Sequence, residues 1–181
     1  MPLHLRPARV DDSPHLSRIA RQTFALACPP DTPAAELQAF IRDHLQAEHF
    51  AALLETPLKQ LRVLLQDRQI IGYSLISLRP EPLAIAEADG IAELTRCYLA
   101  AEHHGSGAAQ YLLQQTLAQQ PGPLRLTVSE TNARAIRFYQ RNGFIKVGET
   151  LFQCGADPQR DWVMVRRQAM PESAEPGPAP R

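Results

Sequence analysis

Cysteine is scarce in this chain, and its placement excludes much. Cys28, Cys97 and Cys154 lie far apart, in neither a paired nor a metal-ligand spacing. A reducing, cytoplasmic setting is the simplest expectation. Charge of one sign is also lacking, since nineteen Lys and Arg balance nineteen Asp and Glu. That balance speaks against a nucleic-acid partner, which selects for a basic excess or patch. No apolar run approaches a membrane span, and Met1-Pro2-Leu3-His4-Leu5-Arg6 lacks the apolar core of a signal peptide, so no membrane association is expected. His103 and His104 have no second ligand pair at a suitable spacing, so they read as loop histidines and no metal site is expected.

What remains is an ordinary globular mixture of 181 residues, 44% hydrophobic and 21% charged, within the range of one domain. Leu3 to Pro7 alternates as a short strand. Asp11-Asp12-Ser13-Pro14 starts a helix carrying Leu16, Ile19, Ala20, Phe24 and Ala27, and Pro29-Pro30 ends it. A second helical region runs from Thr32 to about Glu55, with a break near Gln46. Leu61 to Leu65 and Ile70 to Leu78 read as strands around a hairpin turn, Gln66-Asp67-Arg68-Gln69. Ile91 to Leu99 is a strand, Gly107 to Gln120 a helix, Leu124 to Val128 a strand and Asn132 to Arg141 a helix. Phe144 to Phe152 and Trp162 to Val165 are the last strands. The order β-α-α-β-β-β-α-β-α-β-β implies an α/β domain, a mixed twisted sheet with helices on both faces. Residues 1–168 form that domain in this reading. Residues 169–181, rich in proline and poor in residues that pack, read as a disordered tail.

Two segments carry chemistry. A strand through Cys97, Tyr98 and Leu99 runs into His104, Gly105, Ser106, Gly107, Ala108 and Ala109 and then a helix. Small residues let backbone N–H groups at a helix start converge on an anion, and the helix dipole favours its charge. On glycines alone, a turn without a ligand remains the better reading; the spacing is neither a dinucleotide fingerprint nor a P-loop. One strand later, Asn132 opens a helix that carries Phe138 and Tyr139 and closes on Asn142-Gly143-Phe144. A phenol near a helix end is a candidate proton donor.

In this order the two segments resemble the hallmarks of the GNAT superfamily of N-acetyltransferases. His104-x-x-Gly107-x-Ala109 resembles the pyrophosphate loop, departing at His104, where the family has Gln or Arg. The resemblance implies a single GNAT domain that uses acetyl-CoA as cosubstrate. It implies that backbone groups of Cys97 and Leu99 pair with the pantetheine arm and that Asn132 helps seat the cofactor. It also implies that Tyr139 protonates the departing thiolate. Thr23-Phe24, Glu93-Leu94-x-Arg96-x-Tyr98, Phe152-x-x-Gly155-x-Asp157 and Asp161-x-x-Met164 are loosely similar to bacterial spermidine/spermine N-acetyltransferases of the Pai type. A small primary amine such as a polyamine is thus the expected acceptor, with a protein N-terminus as the alternative.

Two readings of Glu93 stand level: a base that takes the amine proton, and a structural carboxylate paired with Arg96 or a loop. Asp31, Glu36, Asp43 and Glu48 are candidate acceptor-wall carboxylates, although a solvated helix face is the better reading for most of them. A rival from another class is a non-catalytic acyl-CoA-binding module. Homodimers are common in the superfamily, and an edge strand within Phe144 to Val165 is a candidate pairing surface.

Overall fold

The computed structural model describes residues 2–167, so the expected tail lies outside the described residues. Strand β1 (Leu3–Pro7) is followed by three helices, α1 (Ser13–Ala27), α2 (Ala34–His44) and α3 (Ala47–Leu54). The expected break near Gln46 therefore separates two helices. Next come β2 (Lys59–Gln66), β3 (Gln69–Ser77), β4 (Ala92–Leu99), α4 (Ala108–Ala118), β5 (Leu124–Ser129), α5 (Ala133–Arg141), β6 (Ile145–Cys154) and β7 (Asp157–Arg166). The turn joining β2 to β3 places Asp67 and Arg68 at φ 50° and 67°. Two successive left-handed residues match the right-handed twist of a two-residue hairpin.

All seven strands form one sheet in the order β1-β2-β3-β4-β5-β7-β6. Every neighbouring pair is antiparallel except β4 and β5, which are parallel and joined through α4. Alternation along the strands divides the core between the two faces. Val63, Tyr73 and Leu75 pack under the first three helices with Leu16, Ile19, Phe24 and Phe50. Leu64, Ile71 and Leu99 pack under α4 with Leu112. Ile76, Leu94, Leu126 and Val128 meet Leu113 of α4 and Ile136 of α5.

The feature that makes a site is a failure of pairing. Strands β4 and β5 are in register only at Ala92↔Leu124 and Glu93↔Arg125. Across from β3, the partner of Leu75 is Arg96 and that of Ile76 is Leu94, so Thr95 is an extra residue on β4. Such a bulge bends the strand and increases its twist. Beyond it the two strands diverge, leaving a gap in the middle of the sheet.

Candidate active site

The gap is a cleft of about 580 Å³. One wall is β4 from Leu94 to Leu99, and the other is β5 from Leu126 to Ser129. The end of α1, from Thr23 to Cys28, and Phe152, Gln159 and Asp161 close one side. The cradle and α5 close the other, with His104, Gly105, Gly107, Ala109, Asn132, Phe138 and Tyr139. The structure thus brings Cys97, Tyr98 and Leu99 together with most of the two sequence segments. Ser106 and Ala108 are not among the lining residues. Ser106 Oγ donates to the His103 carbonyl at 2.6 Å and accepts from Ala108 N–H at 3.3 Å. Ala108 is buried beneath α4.

The cradle forms because two glycines take backbone angles that other residues avoid. Gly105 has φ 78° and Gly107 has φ 86°. Gly107 is the N-cap of α4 and supplies no side chain to cap it. Ser106 Oγ takes the Ala108 N–H, and the opening amides beyond it receive no side-chain acceptor from the cap.

His104, the departure from the pyrophosphate-loop pattern, is engaged through both of its ring nitrogens. Its Nε2 lies 2.9 Å from the Leu99 carbonyl oxygen, and its Nδ1 lies 3.1 Å from Arg134 Nη1. Arginine can only donate, so Nδ1 accepts and Nε2–H donates to Leu99. Both ring nitrogens are used internally, in a neutral imidazole. The cation at this end of the cleft is Arg134, which is exposed, lines the cleft and is oriented by His104. Sequence reasoning missed Arg134, because thirty positions separate it from the histidine that holds it.

The strand edge retains free pairing capacity. Ala100 N–H donates to Ile71 O on β3 at 2.8 Å. By alternation, the amide groups of Leu99 and Cys97 point the other way, toward the gap left by β5. The carbonyl of Leu99 is taken by His104, so Leu99 offers its N–H and Cys97 offers both groups. Burial pushes the Cys97 thiol up to about 12, which keeps it protonated and unsuited to nucleophilic attack.

Asn132 caps α5, accepting from Ala135 N–H at 3.1 Å, and also lines the cleft. Tyr139 packs against Phe138 and Phe144, with ring centroids 5.3 and 5.6 Å away. Burial, reinforced by Cys97 and Tyr98, holds its phenol well above its ordinary value, so it stays protonated and able to donate. A reciprocal amide pair ties α4 to the end of α5. Gln110 Nε2 donates to Asn142 Oδ1 at 2.7 Å, and Asn142 Nδ2 donates to Gln110 Oε1 at 3.1 Å.

Glu93 is not among the residues that line the cleft. Its Oε2 accepts from Arg125 Nε at 2.9 Å, and Arg125 also donates to the carbonyls of Glu81 and Ala88. Of its two readings, these contacts favour the structural carboxylate, with Arg125 rather than Arg96 as its partner. The proposed acceptor-wall carboxylates are also absent from the lining. Glu36 accepts from Ala156 N–H, Asp43 pairs with Arg42, and Asp31 and Glu48 are exposed. Asp161 lines the cleft instead, 7% exposed, on a strand that begins well before the expected Trp162.

Residues 21–144 match the Acetyltransferase (GNAT) family. Uncharacterised N-acetyltransferases of Mycobacterium bovis and Mycobacterium tuberculosis are 35% identical over 159 residues, 86% of this chain and 97% of theirs. The crystal structure of PaiA N-acetyltransferase from Thermoplasma acidophilum in complex with coenzyme A superposes with a TM-score of 0.73 at 20% identity. The overlap covers 93% of this chain and 100% of that one. The ribosomal-protein-S18-alanine N-acetyltransferase from Escherichia coli has a TM-score of 0.63 at 15% identity, covering 96% and 97% of the two chains. At these identities the two structures share the fold.

Proposed function

Because the chain belongs to the GNAT acetyltransferase family, we propose that it moves an acetyl group from acetyl-CoA directly to the primary amine of a small molecule. The observation that carries this reading is the unpaired edge of β4, flanked by the helix-start cradle and by Tyr139. An extended pantetheine arm has the hydrogen-bonding pattern to add along Cys97 and Leu99 as a strand would. Gly105, Gly107 and Ala109 leave room for the pyrophosphate at the start of α4, and Arg134 supplies its counter-charge. Asn132 and Phe138 line the same arm. Bound there, acetyl-CoA supplies the activated acyl group.

Direct attack suits this cleft, because the half-buried thiol of Cys97 stays protonated. The N–H of Leu99 is placed to polarise the thioester carbonyl. Tyr139 donates its phenolic proton to the departing sulfur. A polyamine is one acceptor consistent with the sequence resemblance, and a protein N-terminus is the alternative. The three cysteines are free thiols, which suits a cytoplasmic setting. Among the described residues no helix is long and apolar enough to cross a membrane. The edge strand β6 exposes Ile145 and Leu151, a surface suited to a homodimer.

The test is thiol release from acetyl-CoA across polyamines, amino acids, aminoglycosides and N-terminal peptides, beside Tyr139→Phe. We expect turnover with one class, with kcat reduced by ~10²-fold or more in the variant and with cofactor affinity unchanged. Cofactor binding without turnover in any class would favour the non-catalytic module.

A further inference from the structure

We infer, building on the acetyl-transfer reading above, that Asp161 receives the acceptor's ammonium group and takes its proton. Thirty residues line the cleft, and Asp161 is the single carboxylate among them. The cationic side chains there are Arg96, Arg134 and Arg141, with His104 held in its neutral form. Arg134 belongs to the cradle side, and Arg96 lies over the Phe50 ring, 5.5 Å from its centroid. Among the described residues Asp161 has no cationic partner, although it is more than nine-tenths buried. A buried carboxylate without a counter-ion is costly unless something supplies one. In a cleft that must admit an amine, an ammonium group supplies it.

The surroundings fit that use. Asp161 sits on β7 opposite Ser129 of β5 and Thr150 of β6. The ionisable groups that face it are Tyr98 on β4, Cys28 after α1 and Glu130 after β5, and Arg96 faces Tyr98. Thr127 is a hydroxyl neighbour, and Gln159 on the same strand is occupied with Thr32 and Asp157. Desolvation, opposed by Thr127 and assisted by Glu130, holds the Asp161 carboxyl up at about 6. Above that pH it is ionised and is a stronger base than an ordinary aspartate. Tyr98 is also raised to about 12 and stays a neutral phenol. Phe24, Phe152 and Ala27 give the same side of the cleft an apolar character.

The step balances as follows. The ammonium nitrogen gives one proton to Asp161 and becomes a free nucleophile. Its bond to the acetyl carbon forms as the carbon–sulfur bond breaks. The nitrogen loses a second proton to water, Tyr139 protonates the sulfur and regains a proton from water, and Asp161 releases its own to solvent. One proton is released per turnover. A single carboxylate matches a single ammonium, so an amine on an apolar stem should be preferred over a polycation.

The test compares wild type, Asp161→Asn, Asp161→Glu and Glu93→Gln with spermidine, tyramine, kanamycin and an alanyl peptide. It measures kcat/KM against pH, and calorimetric binding of the same amines to the coenzyme A complex. In wild type, kcat/KM should fall tenfold per pH step below about 6. Asp161→Asn should lose ~10²-fold or more at pH 7.5 and show no such limb. Asp161→Glu should restore part of the activity and the limb, and Glu93→Gln should keep the limb. Coenzyme A affinity should be unchanged throughout. An acid limb that survives in Asp161→Asn, or one lost in Glu93→Gln instead, overturns the inference. So does amine binding that is equal with and without the carboxylate, or absent in wild type. Asp161-dependent amine binding without thiol release in wild type supports the ammonium site and removes the acetyl-transfer reading instead.

Discussion

Burial acts in the same direction on Tyr139 and Asp161, and the proposed acetyl transfer would use that direction in both. A phenol raised above its ordinary value remains a donor, and a carboxyl raised to about 6 becomes a better acceptor. The second has a stability consequence. A carboxyl that holds its proton more tightly in the folded state stabilises the fold most below the unfolded value, ~3.9. That contribution is lost as pH rises through about 6. At pH 7.5 the ionised Asp161 therefore weakens the free protein, on the order of 3 kcal/mol. Asp161→Asn should lose turnover yet melt no lower than wild type, by calorimetry at that pH. Asp12 has the opposite sign. Its bond to Arg6, at 2.7 Å, lowers it, so its contribution is present at neutral pH and is lost on acidification. At the cradle, Arg134→Ala should weaken coenzyme A binding by about tenfold, the scale of one exposed charge-assisted hydrogen bond. Calorimetric titration checks it. Dephospho-coenzyme A should lose affinity by the same factor if Arg134 serves the pyrophosphate.

At the scale of elements, one arginine holds the base of the cleft. Arg125 is 1% exposed and bonds Glu93, Asp89 and the carbonyls of Glu81 and Ala88. It fastens the segment between β3 and β4 onto the one place where β4 and β5 pair. Arg125→Ala removes the cationic partner of Glu93 and leaves two carbonyls unpaired, while Asp89 keeps the amides of Leu83 and Ile85, so we expect a loss of ~3–5 kcal/mol in urea unfolding. Most elements were legible from periodicity and punctuation: β1 from alternation, the hairpin from Asp67-Arg68, α5 from its asparagine cap. The start of β7 was not. Asp157-Pro158-Gln159-Arg160 is polar and reads as a loop, yet nine residues, Asp157 to Val165, pair with β6 in tertiary context. Asp161 stands at the junction of the unread and the read portions, which is why it went unassigned while Glu93 drew attention. The arginine partners of Glu93 and His104 are thirty or more positions away, a distance over which sequence spacing carries no contact information.

Across the whole molecule, the sheet is two ribbons, β1 to β4 and β5 to β7. They are joined through two registered residue pairs and the helices that span them. Hydrogen exchange at the amides of Cys97 and Leu99 should slow by about 10²-fold at a coenzyme A concentration one hundred times its Kd. Amides of β2 and β3, already paired, should change less. The inward wall of the acceptor side is made by both ribbons, Tyr98 from one and Asp161 from the other. Whatever fixes the spacing of the ribbons therefore fixes the width of the acceptor seat. The nucleotide-bearing substrate would then act as a spacer before it acts as a reactant. Kinetically, the proposed transfer would then be a queue: the amine would find a finished seat only after the thioester has arrived, and would leave, acetylated, before the thiol does.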